Sequence, residues 1–170
     1  MREADRSTPP QELRRVWLWL ALTAVSALAL AGWWNAFGPG AALPALSAAN
    51  ASQLELGGQL YRQHCAACHG DRLQGQTDWR RRKPDGRLPA PPHDDSGHTW
   101  HHPDAVLMSI VRDGLRPPNA PPGYQSDMPA YRGQLDDQQI WAVLAYIASQ
   151  WSQASCEHQA RITRMHSQMH

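Results

Sequence analysis

The chain has 170 residues, a formal net charge of +1, and a composition that is 42% hydrophobic and 18% charged. Its length allows one ordinary domain with appendages. A near-neutral balance without a strongly basic or acidic block excludes nucleic acid as an expected partner.

Residues 1–15 are polar, with Arg2, Arg6, Arg14 and Arg15 against Glu3, Asp5 and Glu12, and read as a cytoplasmic segment. From Val16 to Phe37 the chain runs 22 residues without a charge. A helix of that length spans about 33 Å, enough to cross a hydrocarbon core of about 30 Å. Trp17 and Trp19 near one end, and Trp33 and Trp34 near the other, sit where aromatic rings favour membrane interfaces. Residues 16–37 are therefore expected to be a transmembrane anchor. Arg14 and Arg15 abut its start, and no Lys or Arg occurs between Phe37 and Gln59. This asymmetry keeps the amino terminus in the cytoplasm and exports the rest. A cleaved signal peptide is the competing reading, since Ser47-Ala48-Ala49 resembles a processing site. The apolar run exceeds the about 7–15 residues of a signal core, which favours the anchor.

Residues 38–51, rich in Ala, Pro and Gly and without charge, read as a linker. Ser52 and Glu55 have capping-box spacing and predict a helix through Leu56, Leu60 and Tyr61. Gly57 and Gly58 are poor helix formers, so a close packing partner is expected there. The helix leads into Cys65-Ala66-Ala67-Cys68-His69, which fits the C-x-x-C-H pattern of covalent haem attachment. Two thiols three positions apart on a helical turn can each add to one haem vinyl group, and the following His can reach the iron. Zinc would want a second ligand pair at similar spacing, and the only other cysteine is the distant Cys156. Thiol redox chemistry would want a βαβ setting, and no strand-rich stretch surrounds the motif.

Asp71 to His102 has neither helical nor strand periodicity. It carries Trp79, the basic run Arg80 to Lys83, Pro89-Ala90-Pro91-Pro92, and His93, His98, His101 and His102. A loop this long usually wraps something or has its own function, and a haem edge would supply the object. Capping and surface hydrogen bonding is the favoured reading of His98, His101 and His102, ahead of metal or proton coupling. The basic run reads as a solvated surface. Pro103, Ala105, Val106, Ile110 and Val111 then predict a short helix ending near Gly114, followed by a Pro-rich loop from Arg116 to Tyr131 that contains Met128. Asp136 with Gln139 forms a second capping-box pattern. It opens an amphipathic helix carrying Ile140, Trp141, Val143, Leu144, Ile147 and Trp151. The tail, residues 152–170, has little apolar period and is expected to be disordered, with incidental Cys, His and Met. The alternative is a copper site, for which Cys156, His158, Met165, His166, Met169 and His170 supply soft and imidazole donors.

Residues 53–151, within an expected domain of residues 52–151, resemble the class I cytochrome c family. The resemblance rests on Gly57 with Leu60-Tyr61 before Cys65-Ala66-Ala67-Cys68-His69-Gly70, on Ile110-Val111-Arg112-Asp113-Gly114, on Met128-Pro129-Ala130-Tyr131, and on Ile140 to Ile147, in the family's order. It implies an all-α cytochrome c fold around one haem c, behind the single transmembrane helix. First and last helices would cross at a glycine, with Gly57 and Tyr61 against Val143 and Tyr146. Cys65 and Cys68 would hold the haem, His69 would be the proximal ligand and Met128 the distal one, and Pro91 is the candidate carbonyl for the proximal His. A His/Met pair raises the reduction potential, and a six-coordinate iron leaves no site for substrate, which favours electron transfer over catalysis. The expectation is a carrier of single electrons on the outer face of a bacterial inner membrane. Its partners would be redox proteins: an oxidase, a reductase or a dehydrogenase. The rivals are a haem enzyme or gas sensor with an open distal position, and a copper-handling protein that uses its tail.

Overall fold

The computed structural model describes residues 11–37 and 45–169. The chain divides into two units, Met1–Ala42 and Leu43–His170. In the first, the described part is one helix, α1 (Gln11–Phe37). Its Arg15–Gly32 window is long and apolar enough to cross a membrane, and Trp17 and Trp19 are exposed along it. The side chains of Trp33 and Trp34, residues 1–10, residues 38–44 and His170 lie outside those described.

The second unit is all helical among the described residues: α2 (Ala51–His64), α3 (Ala66–His69), α4 (Asp104–Asp113), α5 (Asp137–Ala148) and α6 (Gln153–Met169), with single 3-10 turns at Leu46–Ala48 and Thr99–His101. Helix α2 begins earlier than the Ser52 and Glu55 pattern predicts. Asn50 is its N-cap: the Asn50 side chain accepts from the Gln53 N–H at 3.0 Å, and the Asn50 N–H donates to Gln53 Oε1 at 2.9 Å. Ser52 instead donates its hydroxyl to the Asn50 side chain. Just upstream Leu46 is buried with the core of α2 and α5. The end of the expected linker, residues 38–51, therefore belongs to the domain.

Helices α2 and α5 build the core. A Cβ placed on Gly57 would lie 2.0 Å from the Ala142 carbonyl oxygen and 2.9 Å from Tyr146 Cβ, so only glycine lets the two backbones meet. The crossing partner is thus Ala142 with Tyr146, where Val143 was expected. Val143 is instead sealed in the core with Tyr61 and Ile140. The Tyr61 and Tyr146 rings pack 5.6 Å apart. Helix α5 opens on the expected Asp136 and Gln139 capping box but stops at Ala148, three residues before Trp151. Trp151 is still buried, and its indole N–H donates to the His93 carbonyl at 2.7 Å.

The tail corrects the expectation of disorder. Residues 153–169 form α6, docked by polar groups where apolar periodicity was lacking. Buried Gln159 donates from Nε2 to the His102 carbonyl and to Asp104 Oδ1. The Thr163 hydroxyl accepts from the Asp104 N–H at 3.1 Å, satisfying an orphan donor at the start of α4. The Ser152 N–H and hydroxyl both donate to Asp95.

Candidate functional site

Cys65 joins α2 to α3, and the rest of the motif, Ala66 to His69, is the single helical turn of α3. Cys65 closes α2, its N–H bonded to the Tyr61 carbonyl, and its own carbonyl accepts from the N–H groups of Cys68 and His69 at 3.1 and 2.9 Å. Cys65 is partly buried and Cys68 exposed. Burial, reinforced by the neighbouring Cys68, pushes the Cys65 thiol up to about 11, so it stays protonated at neutral pH. Gly70, at φ +82°, ends the turn in the left-handed region. Two phenols fix its ends. The Tyr61 hydroxyl donates to the Gly70 carbonyl at 2.9 Å, and the Tyr131 hydroxyl donates to the His64 carbonyl at 2.6 Å.

His69 is buried, and its Nδ1 lies 2.8 Å from the Pro91 carbonyl oxygen. A carbonyl can only accept, so the proton sits on Nδ1 and the lone pair is left on Nε2, the state in which an imidazole ligates a metal. Burial lowers the basicity of His69, and the Pro91 bond partly offsets this. The ring stays neutral. Pro91 is presented from a backbone gripped on two sides: a Cβ on Gly75 would lie 2.4 Å from the Pro92 nitrogen, and one on Gly97 would lie 2.1 Å from the Pro92 oxygen. Behind His69 stacks His93, whose Nδ1 lies 2.8 Å from the Thr99 hydroxyl oxygen.

Met128 lies in the loop between α4 and α5. It is partly buried, and its N–H donates to the Ser126 hydroxyl oxygen at 3.0 Å. Neighbouring Asp127 takes Lys83 and Arg87 as ion-pair partners. Met108 packs against the core from α4, whereas Met165 and Met169 are exposed on α6.

The donor set of Cys65 and α3 fits a covalently held haem: two thiols one helical turn apart, and a neutral imidazole with its Nε2 lone pair free directly after them. Copper finds no support among the described tail residues. Cys156 turns its thiol towards the Ala148 carbonyl, while His158 packs edge-on against the Trp100 and His101 rings. Among the described residues no group of three His, Cys, Asp or Glu side chains could hold a metal ion. Of the loop histidines, His98 stacks on Trp79 and His101 on Trp100.

The sequence displays Tyr61, Tyr131 and His93 but does not reveal these tasks. A buried tyrosine needs a partner for its hydroxyl, a signal that pointed to a hydrogen bond but not to its acceptor. The ion pairs of Asp127 had no signal, because they join positions about forty residues apart.

Residues 54–151 match the family model described as Cytochrome c. Comparisons with curated proteins and with solved structures find no match.

Proposed function

Because the chain belongs to the cytochrome c family, with the haem-based electron transfer that this implies, we propose that it is a membrane-tethered carrier of single electrons with His/Met ligation of one covalently bound haem. The observation that carries this reading is the buried His69, held through Nδ1 by the Pro91 carbonyl with Nε2 left to ligate, directly after Cys68. When bound, the haem supplies a one-electron iron couple. The protein's own residues do the rest. Cys65 and Cys68 would hold the haem through two thioethers, and His69 would ligate its iron through Nε2. The thioether of Met128, a soft and neutral donor, would be the second ligand and would favour ferrous iron.

The phenols of Tyr61 and Tyr131 fix the two ends of the motif, which would keep Cys65, Cys68 and His69 in place and so limit the rearrangement that accompanies one-electron exchange. The apolar window of α1 supports a single-pass tether. Arg14 and Arg15 before it, against a span without Lys or Arg after it, support a haem domain on the outer side of a bacterial inner membrane. A tether raises the local concentration of the domain near membrane redox partners, an oxidase, reductase or dehydrogenase.

The test is spectroscopic. Expressed with a competent maturation system, the protein should keep its pigment after denaturation in acidified organic solvent, and Cys65→Ser with Cys68→Ser should release it. The ferric protein should show the weak near-infrared charge-transfer band of methionine-ligated haem, and Met128→Ala should abolish it. Extractable pigment would defeat covalent attachment; rapid carbon monoxide binding by the unaltered protein would defeat the closed distal side.

A further inference from the structure

The loop that carries Met128 is fastened by a turn far away in sequence. Lys83 to Arg87 closes on itself: the Lys83 N–H donates to the Arg87 carbonyl at 2.8 Å, and the Gly86 N–H to the Lys83 carbonyl at 2.9 Å. The closed turn presents two cations side by side, and both reach Asp127. Lys83 Nζ lies 2.9 Å from Asp127 Oδ2, and Arg87 Nη1 lies 2.6 Å from Oδ1. Preceding Arg82 donates to the Gly86 carbonyl and lies over the Tyr124 ring, 5.8 Å from its centroid. One turn therefore touches residues 124 and 127 of the same loop.

That loop has little else to hold it. It contains no helix or strand, and Pro117, Pro118, Pro121, Pro122 and Pro129 lack N–H donors. It is anchored at one end by Asn119 on Ser109 and at the other by the Tyr131 N–H on the Val111 carbonyl. Between those anchors, among the described residues, the hydrogen bonds to the rest of the fold are those of Asp127. A thioether is a weak, neutral ligand, so its retention depends on how firmly the chain holds it near the iron.

We propose that Asp127, clamped by Lys83 and Arg87, is the positioning residue that keeps the Met128 thioether on the iron and shuts the distal side against small ligands. This rests on Met128 being the distal ligand. The two ion pairs are partly exposed, so each contributes modestly. Together they restrict the one stretch of loop next to the ligand.

The experiment uses the full-length holoprotein in detergent and reads two quantities, the methionine charge-transfer band of the ferric form and the rate at which added imidazole displaces the ligand. Asp127→Asn and the double variant Lys83→Gln/Arg87→Gln should each speed displacement about three- to tenfold. Combining all three substitutions should add nothing further. Raised salt should speed the unaltered protein and leave Asp127→Asn unchanged. Asp136→Ala, which cuts the cap of α5 instead, serves as the stability control and should leave the displacement rate unchanged. A protein that shows the band but whose displacement rate ignores Asp127→Asn, or responds equally to Asp136→Ala, overturns the clamp alone. A protein without the band overturns the ligand assignment and the clamp with it.

Discussion

The imidazole rings of His69 and His93 lie face to face, with centroids 4.0 Å apart and planes 23° apart. Burial, with the neighbouring His69 and His98 adding to it, pushes His93 well below the ordinary histidine range, so a neutral ring backs that of His69. Its main chain is tied as well, the N–H to the Leu73 carbonyl and the carbonyl to the Trp151 indole. His93→Ala should cost about 1–3 kcal/mol through the lost stack. His93→Phe keeps the face and loses the Thr99 bond, at about 1 kcal/mol. Urea denaturation of the holoprotein checks both.

Gly57→Ala should be the most damaging small change in the core. Its new methyl would collide with the Ala142 main chain, which cannot rotate away, and a cost of about 3 kcal/mol or failure to fold is expected. Gly58→Ala is the contrast, since its Cβ would meet the Tyr146 ring at 3.1 Å. A side chain can yield, and about 1 kcal/mol is expected. Expression yield and melting temperature separate the two.

Tyr131→Phe removes the hydroxyl that holds the His64 carbonyl, and a loss of about 1–2 kcal/mol is expected at neutral pH. Its pH dependence has a definite sign. Burial pushes the Tyr131 phenol up from 10.0 to about 12. The folded protein therefore keeps a proton that the unfolded chain releases first. The contribution is full below pH 10.0 and disappears as pH rises towards about 12. Stability measured across that window should fall less steeply in Tyr131→Phe than in the unaltered protein.

Truncation after Trp151 removes α6, along with the Gln159 and Thr163 bonds to Asp104 and the Gln159 bond to the His102 carbonyl. The melting temperature of the haem domain should drop by roughly 4 °C or more. Gln159→Ala alone removes the donor to the His102 carbonyl and leaves the Asp104 carboxylate with the Thr163 hydroxyl, and about 1–2 kcal/mol of stability should go with it. An unchanged melting curve after truncation would mean that α6 contributes nothing to the domain.

What the sequence made legible follows from how local each signal is. The start of α5 lies in four consecutive residues, Asp136 to Gln139, and the structure has that cap. The start of α2 was misread because two capping patterns overlap, Asn50 with Gln53 and Ser52 with Glu55. The choice of the first accompanies the burial of Leu46 upstream, a tertiary effect. Helix α6 was missed because its docking face is built from Ser155, Gln159 and Thr163, which leave no apolar stripe. At the site, Cys65, Cys68 and His69 are read directly from one motif. The 2.8 Å contact from His69 to Pro91 joins residues 22 positions apart, and only resemblance to a family suggested it.

The grip of Gly75 and Gly97 on Pro92 sets the kind of anchor that His69 receives. Its acceptor is a main-chain oxygen held between neighbouring backbones, with no side-chain torsion through which it could swing aside. Residue 91 could change identity and still offer the same atom in the same direction, whereas a methyl on either glycine would displace it. The orientation of the imidazole is thus inherited from the path of the chain, and heritable variation should reach it through those two small residues sooner than through the proline itself.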